Sequence, residues 1–376
     1  MKNAPVDDHP PWPRRRRLIR GLKIFTLCAV ALLVAALATM RVALHATPGI
    51  GRQPPVGYPS IKLLAAAYAT GQIDMVDTSI PLPASVELRE AIEYGTGGEV
   101  PLKLDLYIPK DIQRPTPALI FVHGGGWRSG SRNDYRYYCI KFAERGYVVA
   151  TITYRLRDVA LFPAAIEDAK CAVRWMRTNA ESLGADPNRI AIIGGSAGGH
   201  LAMMVGYSVD DVELEGNGEH EVVSSRVQAV VNLYGPTDLT TPYARTHETI
   251  TGYLGKLYDE APEMYQRASP LHHVSADDPP TLILHGSIDE LVPISQAERL
   301  AQALDEVGVA HEYYPLDGWP HSMDVAQVVN DFCIVRMFDF FTKYLDDKAT
   351  VPTSSPAVDN EATEGTEIDN SSNTTG

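Results

Sequence analysis

The sequence predicts an α/β fold, a mostly parallel sheet covered by helices on both faces. Apolar runs rich in valine and isoleucine, at Val148 to Ile152, Ile190 to Ile193, Val227 to Leu233 and Leu282 to Leu284, alternate with longer amphipathic stretches. A strand buried on both faces reads as such a continuous run, because neither face meets water. The first two strands, near Val86 to Tyr94 and Leu102 to Ile108, show a shorter polar/apolar alternation instead, which suits an antiparallel edge. Without its two ends the chain keeps roughly 300 residues, enough for one α/β domain to bury a large core.

The parallel strands lead into loops that carry chemistry. After Arg189 to Ile193 comes Gly194-Gly195-Ser196-Ala197-Gly198-Gly199, and helix-forming residues follow from His200. A serine at a sharp strand-to-helix turn sits on a strained backbone, so the residues two before and two after it must lack bulk, and Gly194 and Gly198 do. The turn lifts the hydroxyl above the sheet edge, and the N-terminus of the following helix favours negative charge beside it. Ser196 is therefore the candidate nucleophile. Alone, a G-x-S-x-G pentapeptide is a common accident, so the other loops decide.

His123-Gly124-Gly125-Gly126-Trp127 follows the apolar run Ala118 to Val122. Glycines there let the main chain pass close to a substrate carbonyl, and the N–H groups of Gly125, Gly126 and Ala197 would form an oxyanion hole. Trp127 and His200, next to these two glycine-rich loops, are the candidate substrate contacts. Leu282 to Leu284 ends in His285-Gly286-Ser287-Ile288-Asp289, where an acid at a strand's C-terminal end can accept an imidazole N–H and fix its tautomer. Asp289 takes that role here. Its neighbour Glu290 competes for it, and Asp238 is a more distant rival read as a helix cap or loop-holding group. His321, in Gly318-Trp319-Pro320-His321-Ser322, lies on a loop from which it could take the proton of Ser196 and return it to a leaving group. The chain order Ser196, Asp289, His321 is nucleophile, acid, base.

With these motifs the chain resembles the α/β-hydrolases of the hormone-sensitive-lipase-like and feruloyl-esterase-like branch. They share the HGGGW loop, the GxSAGGH elbow and the HGxxDxxVP acid loop, and the resemblance runs over roughly residues 85–345. It includes Tyr154-Arg155, Asp186 to Ile190 and Ala268-Ser269-Pro270. It implies an eight-stranded, mostly parallel sheet with a short cap, and serine-hydrolase chemistry with Ser196, Asp289 and His321 in the roles just read. Trp319-Pro320 departs from the small residues usual before the histidine. The expected activity is cleavage of short-chain acyl or acetyl esters, small molecules, through an acyl-enzyme. The alternatives are a formamidase or peptidase with the same machinery, or a non-catalytic binding module of this fold. The segment Thr237 to Val274 is expected to form the cap, with Tyr243, Tyr253, Leu254, Tyr258, Met264 and Tyr265 available to line a pocket.

The ends read as separate modules. Arg14 to Arg17, Arg20 and Lys23 form a basic stretch, residues 1–23, ahead of an uncharged apolar run from Ile24 to Met40. That length approaches a bilayer's hydrocarbon thickness, and the arginines keep the N-terminus in the cytoplasm. A membrane anchor with the catalytic domain outside is expected, and a cleaved signal peptide is the rival. Residues 41–84 then form a tether, Pro- and Gly-rich up to Pro59, with a short helix over Ile61 to Gly71 near the active site. The catalytic domain spans residues 85–347, and residues 348–376 form a solvated tail carrying Asp359, Glu361, Glu364, Glu367 and Asp369.

The net charge of −14 contains no basic, aromatic-rich stretch that suggests nucleic acid. Nothing indicates an oligomeric state. Cys28, Cys139, Cys171 and Cys333 make no disulfide framework, although a bridge between Cys139 and Cys333 is conceivable if the first and last helices share a face. No cofactor is called for. Neither the cysteines nor His200, His272 and His273 have metal-ligand spacing, so no metal is expected.

Overall fold

In the computed structural model the apolar runs become the middle of an eight-stranded sheet. Residues 52–113, 115–209, 211–217 and 219–346 are described, together with Val30. The strands are β1 (Val86–Gly97), β2 (Val100–Pro109), β3 (Thr116–Val122), β4 (Val148–Ile152), β5 (Ala185–Gly195), β6 (Ala229–Leu233), β7 (Thr281–Gly286) and β8 (His311–Leu316). Their order across the sheet is β1-β2-β4-β3-β5-β6-β7-β8. β1 and β2 pair antiparallel with each other and β2 pairs antiparallel with β4. The remaining pairs are parallel, so the short alternating segments do form the antiparallel edge.

Alternate side chains of the central strands point into two separate apolar layers. Ile120, Val122 and Ile192 join one, with residues of α3 (Ala164–Asn179), α4 (Ala197–Tyr207) and α8 (Ser295–Val307). Leu119, Phe121 and Ile193 join the other, against α1 (Ile61–Ala69), α2 (Arg136–Ala143) and α9 (Gln327–Tyr344). The cap contributes three short helices, α5 (Pro242–Arg245), α6 (Glu248–Leu254) and α7 (Pro262–Arg267). Because every parallel strand ends at the same edge of the sheet, the loops after β3, β5, β7 and β8 meet there, which is where an open α/β sheet builds its sites.

Several sequence expectations change. From Pro55 onward the segment ahead of β1 is not a loose tether: the amides of Gly57 and Tyr58 donate to Asp317 O (2.7 Å) and Gly318 O (2.9 Å), and Trp319 Nε1 donates to Pro55 O (2.8 Å). A Cβ on Gly57 would lie 2.3 Å from Gly318 O, so only glycine allows this approach. Helix α1 forms as read, but it buries Leu64 and Ala67 in the second apolar layer. The residues after it, not the helix, reach the site. Cys139 and Cys333 are buried in that same layer as free thiols, not bridged. The apolar run 24–40, apart from Val30, and the tail from 347 onward lie outside the described residues. Among the described residues no helix is long and apolar enough to cross a membrane.

Candidate active site

The turn between β5 and α4 is as tight as its glycines demand. Ser196 has φ 55° and ψ −123°, a conformation that costs an L-residue free energy and persists only where neighbours hold it. Here the Ser196 amide donates to Leu233 O (2.8 Å) and its carbonyl accepts from the His200 amide (3.0 Å). A Cβ on Gly194 would sit 2.1 Å from Gly198 O, and one on Gly198 would sit 2.0 Å from Val122 O. Bulk at Gly194 would force the turn open against its own helix, and bulk at Gly198 would push the elbow off β3.

His321 Nε2 lies 2.8 Å from Ser196 Oγ, and His321 Nδ1 lies 2.7 Å from Asp289 Oδ2. The other Asp289 oxygen accepts the amides of Leu291 (2.9 Å) and Val292 (2.8 Å), while His285 Nε2 stands 3.2 Å from Oδ2. Burial alone would raise this carboxyl. Hydrogen bonds from His285 and His321, with the His321 charge and the Val292 amide, hold it down at about 2. Asp289 is therefore an anion across the whole working range, and its partner His321 Nδ1 is the donor, which leaves Nε2 to accept from Ser196.

The competing acids stand elsewhere. Glu290 is exposed. Asp238 accepts from the Thr240 amide (2.9 Å) and hydroxyl (2.6 Å) and from Arg299 (2.5 Å), so it holds its loop.

The glycine loop after β3 faces the same hydroxyl. Gly125 and Gly126 have φ of 103° and 61°, values that favour glycine, and among the described residues neither amide donates to a backbone carbonyl. The Gly125 carbonyl accepts from Arg128 and Ser129 (both 3.1 Å), which closes the loop on itself. Its root is fixed by His123, whose ring stacks on Tyr154 at 4.4 Å while the Tyr154 hydroxyl donates to His123 O (3.0 Å). Gly125, Gly126 and Ala197, the first residue of α4, line the same cavity as Ser196, and amides so placed can serve as donors to an oxyanion.

A cavity of about 690 Å³ opens over Ser196 and is lined by Gly125, Gly126, Trp127, Ala197 and His321, a size suited to a small molecule. His200 does not line it. Fully buried, it donates from Nε2 to Ala268 O (2.8 Å) and meets Trp127 edge-on at 5.1 Å, so it braces Trp127 from behind. Burial pushes its pKa down to about 4, which keeps it neutral. Of the cap aromatics, only Tyr243 lines the cavity, beside His247, Thr249 and Ile250. Tyr253, Leu254 and Tyr265 are buried in the core, with Tyr253 stacked on Trp127 at 4.3 Å, and Tyr258 and Met264 pack against it. The cap folds inward because its aromatic residues have Trp127 and each other to cover.

Sequence reading missed Asp324, Tyr234, Met75, Val76 and Thr78, all of which line the cavity. Asp324 is buried and accepts the hydroxyls of Tyr234 (2.5 Å) and Tyr138 (3.2 Å), and the Tyr234 ring meets His321 edge-on at 4.9 Å. Asp324 lies three positions after His321 and so gave a signal, an acid on the same loop. The Met75–Thr78 stretch gave none, because it carries no motif.

Residues 104–304 match the BD-FAE family model, a stretch that contains Ser196 and Asp289 and ends before His321. Esterase LipQ of Mycobacterium tuberculosis is 31% identical over 295 residues, which cover 76% of this chain and 69% of LipQ. A truncated carbohydrate esterase from gut microbiota superposes with a TM-score of 0.62 at 27% identity, over 70% of this chain and 98% of that one. A thermophilic esterase of Thermogutta terrifontis with butyrate bound superposes with a TM-score of 0.60 at 30% identity, over 69% of this chain and 94% of that one.

Proposed function

Since this chain belongs to the BD-FAE family of α/β-hydrolases, we propose that it is a serine carboxylesterase that cleaves short-chain acyl esters through Ser196. The observation that carries this reading is the continuous hydrogen-bonded path from Asp289 through His321 to Ser196 Oγ. In the first half-reaction Ser196 Oγ attacks the acyl carbon and its proton passes to His321 Nε2. The charge that develops on the carbonyl oxygen is met by the amides of Gly125, Gly126 and Ala197. His321 then protonates the departing alcohol oxygen, and the acyl group stays on Ser196. Water, losing a proton to the same Nε2, then attacks the acyl carbon, and the acid leaves as His321 returns that proton to Ser196 Oγ. Asp289 remains ionised throughout and favours the imidazolium.

The preference for short acyl groups is supported by how the cap sits. Thr249 is so close to the oxyanion loop that a Cβ on Gly126 would meet its Cγ2 at 2.7 Å, and Tyr243 and Ile250 wall the cavity beside it. The butyrate held by the Thermogutta terrifontis esterase is of the same class. Anchorage in a membrane through Ile24 to Met40, with the catalytic domain outside the cytoplasm, is supported by the arginines ahead of that run. Esters of p-nitrophenol with acetyl, butyryl, octanoyl and palmitoyl groups, together with a formamide and a feruloyl ester, test the reading. Highest kcat/KM at acetyl to butyryl is expected, and Ser196→Ala should lose at least about a thousand-fold. A maximum at palmitoyl or at the formamide would contradict it.

A further inference from the structure

The segment ahead of β1 grips the loop that carries His321 from both ends. Upstream of the histidine, Gly57, Tyr58 and Pro55 bond to Asp317, Gly318 and Trp319. Downstream, the Val76 amide donates to Val325 O (2.9 Å), the Gln327 amide donates to Asp74 O (2.8 Å), and Met75 forms a β-bridge with Ala326. Trp319, in the upstream grip, is fully buried in the second apolar layer. The bulky residues before the histidine thus have a defined use, since Trp319 keys the loop to the strap at Pro55. The strap is fixed at Met75–Val76 by backbone bonds to residues just beyond His321, and both residues, with Val325, line the cavity.

Chemistry assigns a meaning to that side. In ester cleavage by this arrangement the carbonyl oxygen turns toward Gly125, Gly126 and Ala197, whereas the leaving oxygen must receive its proton from His321 Nε2. The alcohol portion therefore leaves along the His321 loop, and the strap is the wall it meets. Met75 is 57% exposed and Val325 43% exposed, apolar surfaces that line the cavity and stand open to an occupant. We propose that Met75 and Val76 form the alcohol subsite, so that this strap, outside the family's matched stretch, selects esters of apolar alcohols larger than methanol, such as aryl or cyclic ones. Tyr243, Thr249 and Ile250 keep the acyl side.

This inference rests on the esterase reading, and one experiment separates the two. Full-length protein and its Met75→Ala and Met75→Leu variants are assayed on methyl, cyclohexyl, phenyl and 1-naphthyl acetate, and on phenyl acetate, butyrate and octanoate. Met75→Ala should lower kcat/KM about ten-fold for the three bulky acetates but less than two-fold for methyl acetate, the size expected when apolar contact with one group is lost. Acyl-chain preference should not move, and Met75→Leu should recover most of the loss. An equal loss on every alcohol, or a changed acyl preference, overturns the subsite while wild-type activity leaves the esterase reading standing. Wild-type protein inert toward every ester overturns both.

Discussion

Asp289 and His321 are joined at 2.7 Å between Oδ2 and Nδ1, and the second Asp289 oxygen is occupied by two backbone amides. The carboxylate is thus clamped by its own loop and cannot rotate away from the imidazole. Asp289→Asn should keep the fold but present an N–H or a weak acceptor to Nδ1, lowering kcat about ten-thousand-fold through the wrong tautomer. Asp238→Asn should leave kcat within a few-fold and lower Tm, because Asp238 ties Thr240 to Arg299. Steady-state kinetics and thermal melts on both variants check this, and exchanged phenotypes would reassign the acid.

The pH dependence of kcat/KM follows from which groups can change charge. Asp289 is held at about 2 and His200 at about 4, and burial also lowers His123. Neither Asp289 nor His200 changes charge above about pH 5, so neither should contribute to the pH dependence of kcat/KM there. An acid limb above about pH 5 that His200→Gln removes would contradict that assignment.

His200 also sets a stability window. Its folded pKa lies below the unfolded value of about 6.5, so the unfolded chain takes up the proton first, and stability present above that value is lost as pH falls toward about 4. His200→Gln should flatten part of the decline in Tm over that range. An unchanged slope would mean that His200 is not buried behind Trp127.

The elbow makes its own prediction. Gly198→Ala forces a Cβ to within 2.0 Å of Val122 O, a backbone atom that cannot swing aside. The substitution should cost about 2–3 kcal/mol or more and remove activity in whatever folds. Denaturant titration measures the first and active-site titration the second.

Most of the site could be read from the chain because its parts announce themselves locally. Glycines beside Ser196 and after His123 are demanded by backbone geometry, and Asp289 and His321 sit on loops that end buried strands. The fold was legible for the same reason, since Leu119 and Phe121 against Ile120 and Val122 show both faces apolar. What was not legible depends on tertiary packing. Nothing near His200 says that it lies behind Trp127, and the cap tyrosines look like pocket residues until their ring partners are known. Met75 and Val76 reach the cavity because backbone bonds to Val325, Ala326 and Gln327 hold the strap to a loop far along the chain.

The central claim is that Ser196 is an activated nucleophile, and reaction with a fluorophosphonate tests it most directly. The phosphorus reagent is attacked by a hydroxyl only when a base removes its proton and an oxyanion hole receives the charge. Intact protein should be labelled stoichiometrically, with the adduct on the Ser196 peptide by mass spectrometry, and both His321→Ala and Ser196→Ala should abolish it. Folded wild-type protein that stays unlabelled, or carries the label at another serine, would contradict the account.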